Sequence, residues 1–119
     1  MPTLSFEGSV YLSTAVDRRE MVHIAPSVTV DMIMNRAQTT LPVGETHEVH
    51  FDDLPGNKAT VIMVSVSTGD VTVTLTDDAS DTAAFQVTPS GMLILLNTPV
   101  SGLTMLGNAD SVYDLIAGG

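Results

Sequence analysis

Between Ala59 and Thr76 the chain reads Ala-Thr-Val-Ile-Met-Val-Ser-Val-Ser-Thr-Gly-Asp-Val-Thr-Val-Thr-Leu-Thr, with apolar and hydroxyl-bearing residues in near-strict alternation. A period of two puts every second side chain on one face of an extended backbone, so this stretch is half-buried β-structure and not helix. Thr68-Gly69 divides it into two runs rich in β-branched residues, and the spacing predicts a hairpin closed by a two-residue loop. In that register Ser67 meets Asp70, Val66 meets Val71, Val64 meets Val73 and Ile62 meets Leu75. On the other face Ser65 meets Thr72 and Met63 meets Thr74. A slip of one residue would set apolar against polar side chains throughout, so the pattern selects its own register.

The same reasoning extends along the chain. Strands are expected over residues 4–12, 21–24, 28–34, 46–51, 84–87, 92–96, 103–106 and 111–117, with 92–96 reading as a buried one. Asp17–Glu20 reads as a charged turn, Asn35–Leu41 as a loop in preference to a single helical turn, Pro42–Glu45 and Asp52–Asn57 as turns, Asp77–Asp81 as an acidic loop and Asn97–Gly102 as a further loop. No helix of ordinary length shows a 3.6-residue pattern. About nine short strands at regular spacing predict an all-β fold, a single antiparallel β-sandwich of jelly-roll type filling residues 1–119 as one domain.

Composition narrows the function classes. Fourteen acids stand against only Arg18, Arg19, Arg36 and Lys58, a formal net charge of −10. Such a surface repels phosphate backbones and anionic bilayers, so neither nucleic acid nor membrane is an expected partner. Only 15% of residues are charged, which leaves a surface of Ser and Thr with exposed apolar area and points to protein contacts. Cysteine is absent, so disulfides and thiolate metal sites are excluded. The opening Met1–Gly8 has neither a basic nor an apolar leader segment, and no secretory signal is expected.

Chemistry-bearing residues are few. His47 and His50 lie three apart, on opposite faces of a strand, and cannot chelate one metal together. Glu48, His50 and Asp52 share a face opposite Val49 and Phe51, read as a solvated face rather than a metal site. Asp77, Asp78 and Asp81, joined by Asp70, offer oxygen ligands to calcium but lack the spacing of an EF-hand. No serine sits in a Gly-x-Ser-x-Gly elbow, no glycine-rich loop opens a helix, and aromatics for stacking are scarce. The methionines are core fillers, with Met63 a candidate for contact with a neighbouring molecule. Arg18-Arg19 is a solvated doublet or an intersubunit contact. The residues therefore predict no enzyme, no catalytic, cofactor-binding or metal-binding residue, and no cofactor.

Ser65–Leu75, Phe85–Leu95, Val100–Met105 and Val112–Gly118 together resemble the plan of small virion structural proteins of tailed bacteriophages: a hairpin, a Pro-Gly turn, a buried strand, a Ser-Gly-Leu step and a glycine-ended last strand. The resemblance covers about residues 59–119 and carries over no binding residue. It implies a capsid decoration (cement) protein, or a tail, collar or fibre-base component, made in the host bacterial cytoplasm and residing in the virion. Its implied partners are the major capsid protein or tail and collar proteins, with the chain a homo-oligomer, a trimer favoured. A carbohydrate- or calcium-binding β-sandwich module is the reading from another class.

Overall fold

The computed structural model describes residues 3–5, 8–13, 18–24, 27–77 and 79–119, and the side chains from Val30 onward, Asn97 excepted. Among them are four strands near the start: β1 (Thr3–Ser5), β2 (Gly8–Ser13), β3 (Arg18–Ile24) and β4 (Ser27–Thr29). Eight more follow: β5 (Ile33–Leu41), β6 (Thr46–Val49), β7 (Ala59–Thr68), β8 (Val71–Thr76), β9 (Thr82–Val87), β10 (Met92–Val100), β11 (Gly102–Gly107) and β12 (Ser111–Gly118). A single 3₁₀ turn, Pro55–Asn57, lies before β7 among the described residues. No helix there is long and apolar enough to cross a membrane.

β5 to β12 build two four-stranded antiparallel sheets, in the orders β10-β7-β12-β5 and β6-β11-β8-β9. The chain changes sheet at every connection except β8 to β9, which makes the body an antiparallel jelly-roll sandwich. β1 pairs with β4 and β2 with β3 as separate two-stranded ribbons.

The core lies between the two four-stranded sheets. Ile62, Val64 and Val66 of β7 and Tyr113, Leu115 and Ala117 of β12 supply one inner face. Val71, Val73 and Leu75 of β8, Leu103 and Met105 of β11 and Val49 of β6 supply the other. Each full burial of such a side chain is worth roughly 1.5–3 kcal/mol, so the alternation read from the sequence is the main drive for the sandwich. Phe51 and Leu54, just after β6, close one end.

The hairpin predicted at Thr68-Gly69 is not made. Both runs are strands, but β7 pairs with β10 and β12, while β8 pairs with β9 and β11. Val64 and Val73 belong to the same core from opposite sheets instead of lying side by side in one. β12 takes the edge of β7 that the hairpin would have used, setting Tyr113 against Val66 and Val112 against Thr68.

A sheet-to-sheet corner results, and Ser111 holds it. Its hydroxyl, on a buried residue, accepts from the Asp70 N–H at 3.0 Å and lies 2.8 Å from the Ala109 carbonyl. Replacing Ser111 with alanine is expected to cost about 1–3 kcal/mol, because buried backbone groups lose their partner. Urea denaturation checks this. A loss below a few tenths would show that the corner is held by packing alone.

Several other departures arise because pairing extends strands through residues whose local chemistry reads as loop, and two concern where a strand breaks or lies. Asn35–Leu41, expected as a loop, lies in β5 alongside β12. The expected strand over 28–34 is divided between β4 and β5, with Val30–Met32 outside both. Residues 97–100, also expected as loop, continue β10 past a register shift between Leu96 and Val100. The expected buried strand 92–96 is an edge strand with Met92 and Ile94 exposed. Arg18, Arg19 and Glu20 of the expected charged turn lie in β3, while Asp17 is outside the described residues.

Candidate functional site

β8 and β9 run side by side in one sheet, and β10 leaves β9 for the other sheet through the turn at Thr88–Gly91. Away from that turn the two edges diverge and leave a mouth into the sandwich, a cavity of about 250 Å³. Leu75, Ala83, Phe85, Leu95, Pro99 and Val100 line its apolar wall, with Asp77, Asp81, Thr82 and Thr98 also contributing. Phe85 pairs with Val73 and so takes an inward register position, yet it remains 41% exposed, because β10 does not cover it. An exposed aromatic ring beside carboxylates and hydroxyls is the one arrangement among the described residues with the look of a small-ligand site. Sequence reasoning passed over Phe85, although its alternation with Ala83 and Val87 placed it inward.

The acidic loop beside the mouth is largely occupied with itself. The Asp77 carboxylate accepts from the backbone N–H groups of Ala79 and Asp81, both at 2.9 Å. Asp70 precedes and Asp77 follows the six-residue β8, which sets them roughly 20 Å apart. The Asp70 carboxylate instead accepts from Gln86 at 2.6 Å and Asn108 at 3.1 Å. The structure thus separates Asp70 from Asp77 and Asp81, and Asp78 lies outside the described residues. Among the described residues no three His, Asp or Glu side chains converge as a metal site.

Glu48, His50 and Asp52 do lie together, along a polar cleft of about 190 Å³ shared with Thr76, Ser101 and Thr104. His50 Nε2 is 3.8 Å from Glu48 Oε2, and both side chains are about 70% exposed (71% and 69%), so the pair contributes little. Val49 and Phe51 are buried on the other side, as the alternation required. His47 shares their parity and faces inward, where its Nδ1 lies 3.0 Å from the Tyr113 hydroxyl, ring edge to ring face, with centroids 5.9 Å apart. This tie joins β6 of one sheet to β12 of the other. It was legible in the parity of His47 but not in its partner.

A further surface stands out on the outer side of the sheet that contains β10. Ile94, Met63 and Ile116 lie in one cross-strand row, and Leu96, Val61, Gly118 and Ile33 in the next, of which Val61 and Gly118 are buried. Ile33, Ile94 and Met92 are exposed there, while Met63 is half-buried between its two isoleucine neighbours.

No protein-family model matches the chain, and no curated protein matches it. Solved structures do. A dTDP-4-dehydrorhamnose 3,5-epimerase from Sulfolobus tokodaii is similar with a TM-score of 0.54 at 12% identity, over 74% of this chain and 51% of that one. A double mutant of a 3'-monoepimerase from Streptomyces bikiniensis, in complex with dTDP, gives 0.53 at 10% identity, over 97% and 62%. Drosophila melanogaster CENP-C bound to CAL1 gives 0.50 at 10% identity, over 92% and 81%. The chain spans about half to three fifths of the length of the two epimerases.

At such identities the likeness defines the fold, a jelly roll of the kind on which these epimerases are built. It also corrects one expectation. The sequence predicts a non-enzyme, because an all-β scaffold without a motif suits binding better than catalysis. Two enzymes carry this arrangement of strands, so the scaffold gives no ground for excluding catalysis.

Proposed function

We propose that this chain is a saccharide-binding jelly-roll module, with the mouth between β9 and β10 as its site. The observation that carries the reading is Phe85, inward by register but uncovered, with Asp81 and Thr82 beside the cavity it lines. A sugar ring offers an apolar C–H face to an aromatic ring and hydroxyl donors to a carboxylate, which is the pairing this wall provides. A cavity of about 250 Å³ lies just below the usual range for drug-sized ligands and suits a single ring. The similar epimerase named for dTDP-4-dehydrorhamnose supports a sugar as the ligand class. The net charge of −10 favours a neutral saccharide over a sugar phosphate.

Saturation-transfer NMR with a panel of neutral monosaccharides tests the reading, with Phe85→Ala as the control. The variant is expected to fold, since the ring is exposed, and to bind at least about tenfold more weakly, the scale of a lost stacking contact. In D₂O the same spectra report turnover, as loss of a sugar C–H signal to solvent deuterium. No transfer to any neutral sugar, or equal transfer from Phe85→Ala, would sink the proposal.

Assembly on a tailed-phage particle is the second reading, favoured by the apolar outer rows around Ile94 and Ile33. There the chain would sit on the capsid as a decoration protein, or in the tail or collar. Immunogold labelling of purified particles tests it: label on the head or tail supports it, and unlabelled particles with accessible epitopes reject it.

A further inference from the structure

Each four-stranded sheet ends in two edges, and an unpaired edge is a template for another strand unless something blunts it. Three of the four edges here are blunted. β5 carries a register shift opposite Tyr113 and Leu115, with Gln38 at φ 48° and its backbone N–H and side-chain amide held by the Asp114 carboxylate. β6 is only four residues long. β10 is broken by the register shift between Leu96 and Val100, with Pro99 inside it. β9 has none of these devices. It pairs with β8 without a break for six residues, Thr-Ala-Ala-Phe-Gln-Val, with no charge, glycine or proline. Thr82 to Gln86 are all exposed.

We infer that β9 pairs antiparallel with β9 of a second copy, about a twofold axis at Ala84, joining two sheets edge to edge. Directly opposed residues in such a pair lie on the same face. Ala84 then meets Ala84 of the second copy, Phe85 meets Ala83, and Thr82 meets Gln86. The large ring opposes a small side chain on the inner face, and two polar side chains oppose each other on the outer one. The strand is therefore complementary to itself.

Charge favours the same occupant. Repulsion between two copies of net charge −10 is least at a neutral surface, and β9 is neutral along its whole length. Asp81, just before it, would lie three residues from the axis in each copy. The two carboxylates are then about 20 Å apart, twice the screening length in ordinary salt. Antiparallel pairing about a twofold closes with two copies, in contrast to the threefold association expected from the virion resemblance. Ala84 does not line the mouth, although Phe85 and Ala83, which do, would meet across the axis, so variants at Ala84 test the pairing without altering the mouth's own lining.

Sedimentation velocity across a wide concentration range, with one blocking and one reporting variant, tests the pairing. An interface this small is expected to give a weak, concentration-dependent dimer. Ala84→Lys sets two ammonium groups against each other at the axis and is expected to weaken dimerisation at least tenfold while leaving the circular dichroism unchanged. Ala84→Cys introduces the sole cysteine and is expected to form a covalent dimer on mild oxidation, whereas Ala79→Cys in the neighbouring loop is not. The inference is overturned if the protein stays monomeric at every concentration, or if Ala84→Lys dimerises as the parent does. It is equally overturned if Ala84→Cys crosslinks no faster than Ala79→Cys, or if Ile94→Lys abolishes a dimer that Ala84→Lys leaves intact.

Discussion

Gly69→Ala is expected to lower stability by about 3 kcal/mol or more, combining a strained backbone with overpacking. Gly69 has φ +95°, and a Cβ there would lie 2.2 Å from Ser111 Oγ, 2.5 Å from the Asp110 carbonyl oxygen and 2.7 Å from Ser111 Cα. Two of these are backbone atoms of the segment entering β12, which cannot swing aside as a side chain would. A fall in melting temperature on the order of 10 °C or more follows. Gly44→Ala is the matched control, since Gly44 has φ +79° but no heavy atom within 4 Å of the added Cβ. Its cost is the backbone contribution alone, about 1 kcal/mol. Thermal denaturation of the two variants separates the readings. Equal losses would mean that the corner at Gly69 is not packed against β12, and would restore the simple hairpin.

Tyr113→Ala is expected to cost about 3–5 kcal/mol, the range for removing a buried aromatic side chain. Tyr113 is fully buried and packs with the core from β12, in the middle of the molecule. Tyr113→Phe keeps the ring and removes only the hydroxyl that lies 3.0 Å from His47 Nδ1. That change is expected to cost about 1 kcal/mol, because half-buried His47 can turn to water for a partner. Urea titrations of both variants, with His47→Ala to close a double-mutant cycle, measure how much of the tie between sheets is hydrogen bond and how much is packing. A Tyr113→Phe loss as large as that of Tyr113→Ala would show that the hydroxyl, not the ring, holds the sheets together.

The corner at Gly69 and the His47–Tyr113 tie show where one-dimensional reasoning ends. Alternation from Ile62 to Leu75 states which side chains go inside, and every one of the expected apolar residues at 62, 64, 66, 71, 73 and 75 is buried. It does not state whether the two runs lie side by side in one sheet or face each other across two, because both arrangements bury the same set. The choice was made by β12, about forty residues further on, which occupies the edge of β7. Likewise the parity of His47 with Val49 and Phe51 turned it inward, but nothing local named Tyr113 as its partner.

The mouth was hidden for a related reason. Phe85 looked like any other inward residue of a short strand, and its exposure depends on where β10 goes after Thr88–Gly91. The grouping of Glu48, His50 and Asp52 was legible because the alternation with buried Val49 and Phe51 runs on past the end of β6. Asp70 and Asp77, weighed in the sequence as oxygen donors and set aside, do not meet because the strand between them is extended and keeps them apart.

By itself, then, the sequence determined the class of the fold: period-two patterning and turn chemistry act over a few residues and leave only a β-sandwich. The tertiary structure alone decided which strands are neighbours, which edges stay open and where a cavity forms. Those are contests between distant segments for the same backbone hydrogen bonds, and their outcome depends on the whole set of competitors rather than on any one stretch of chain.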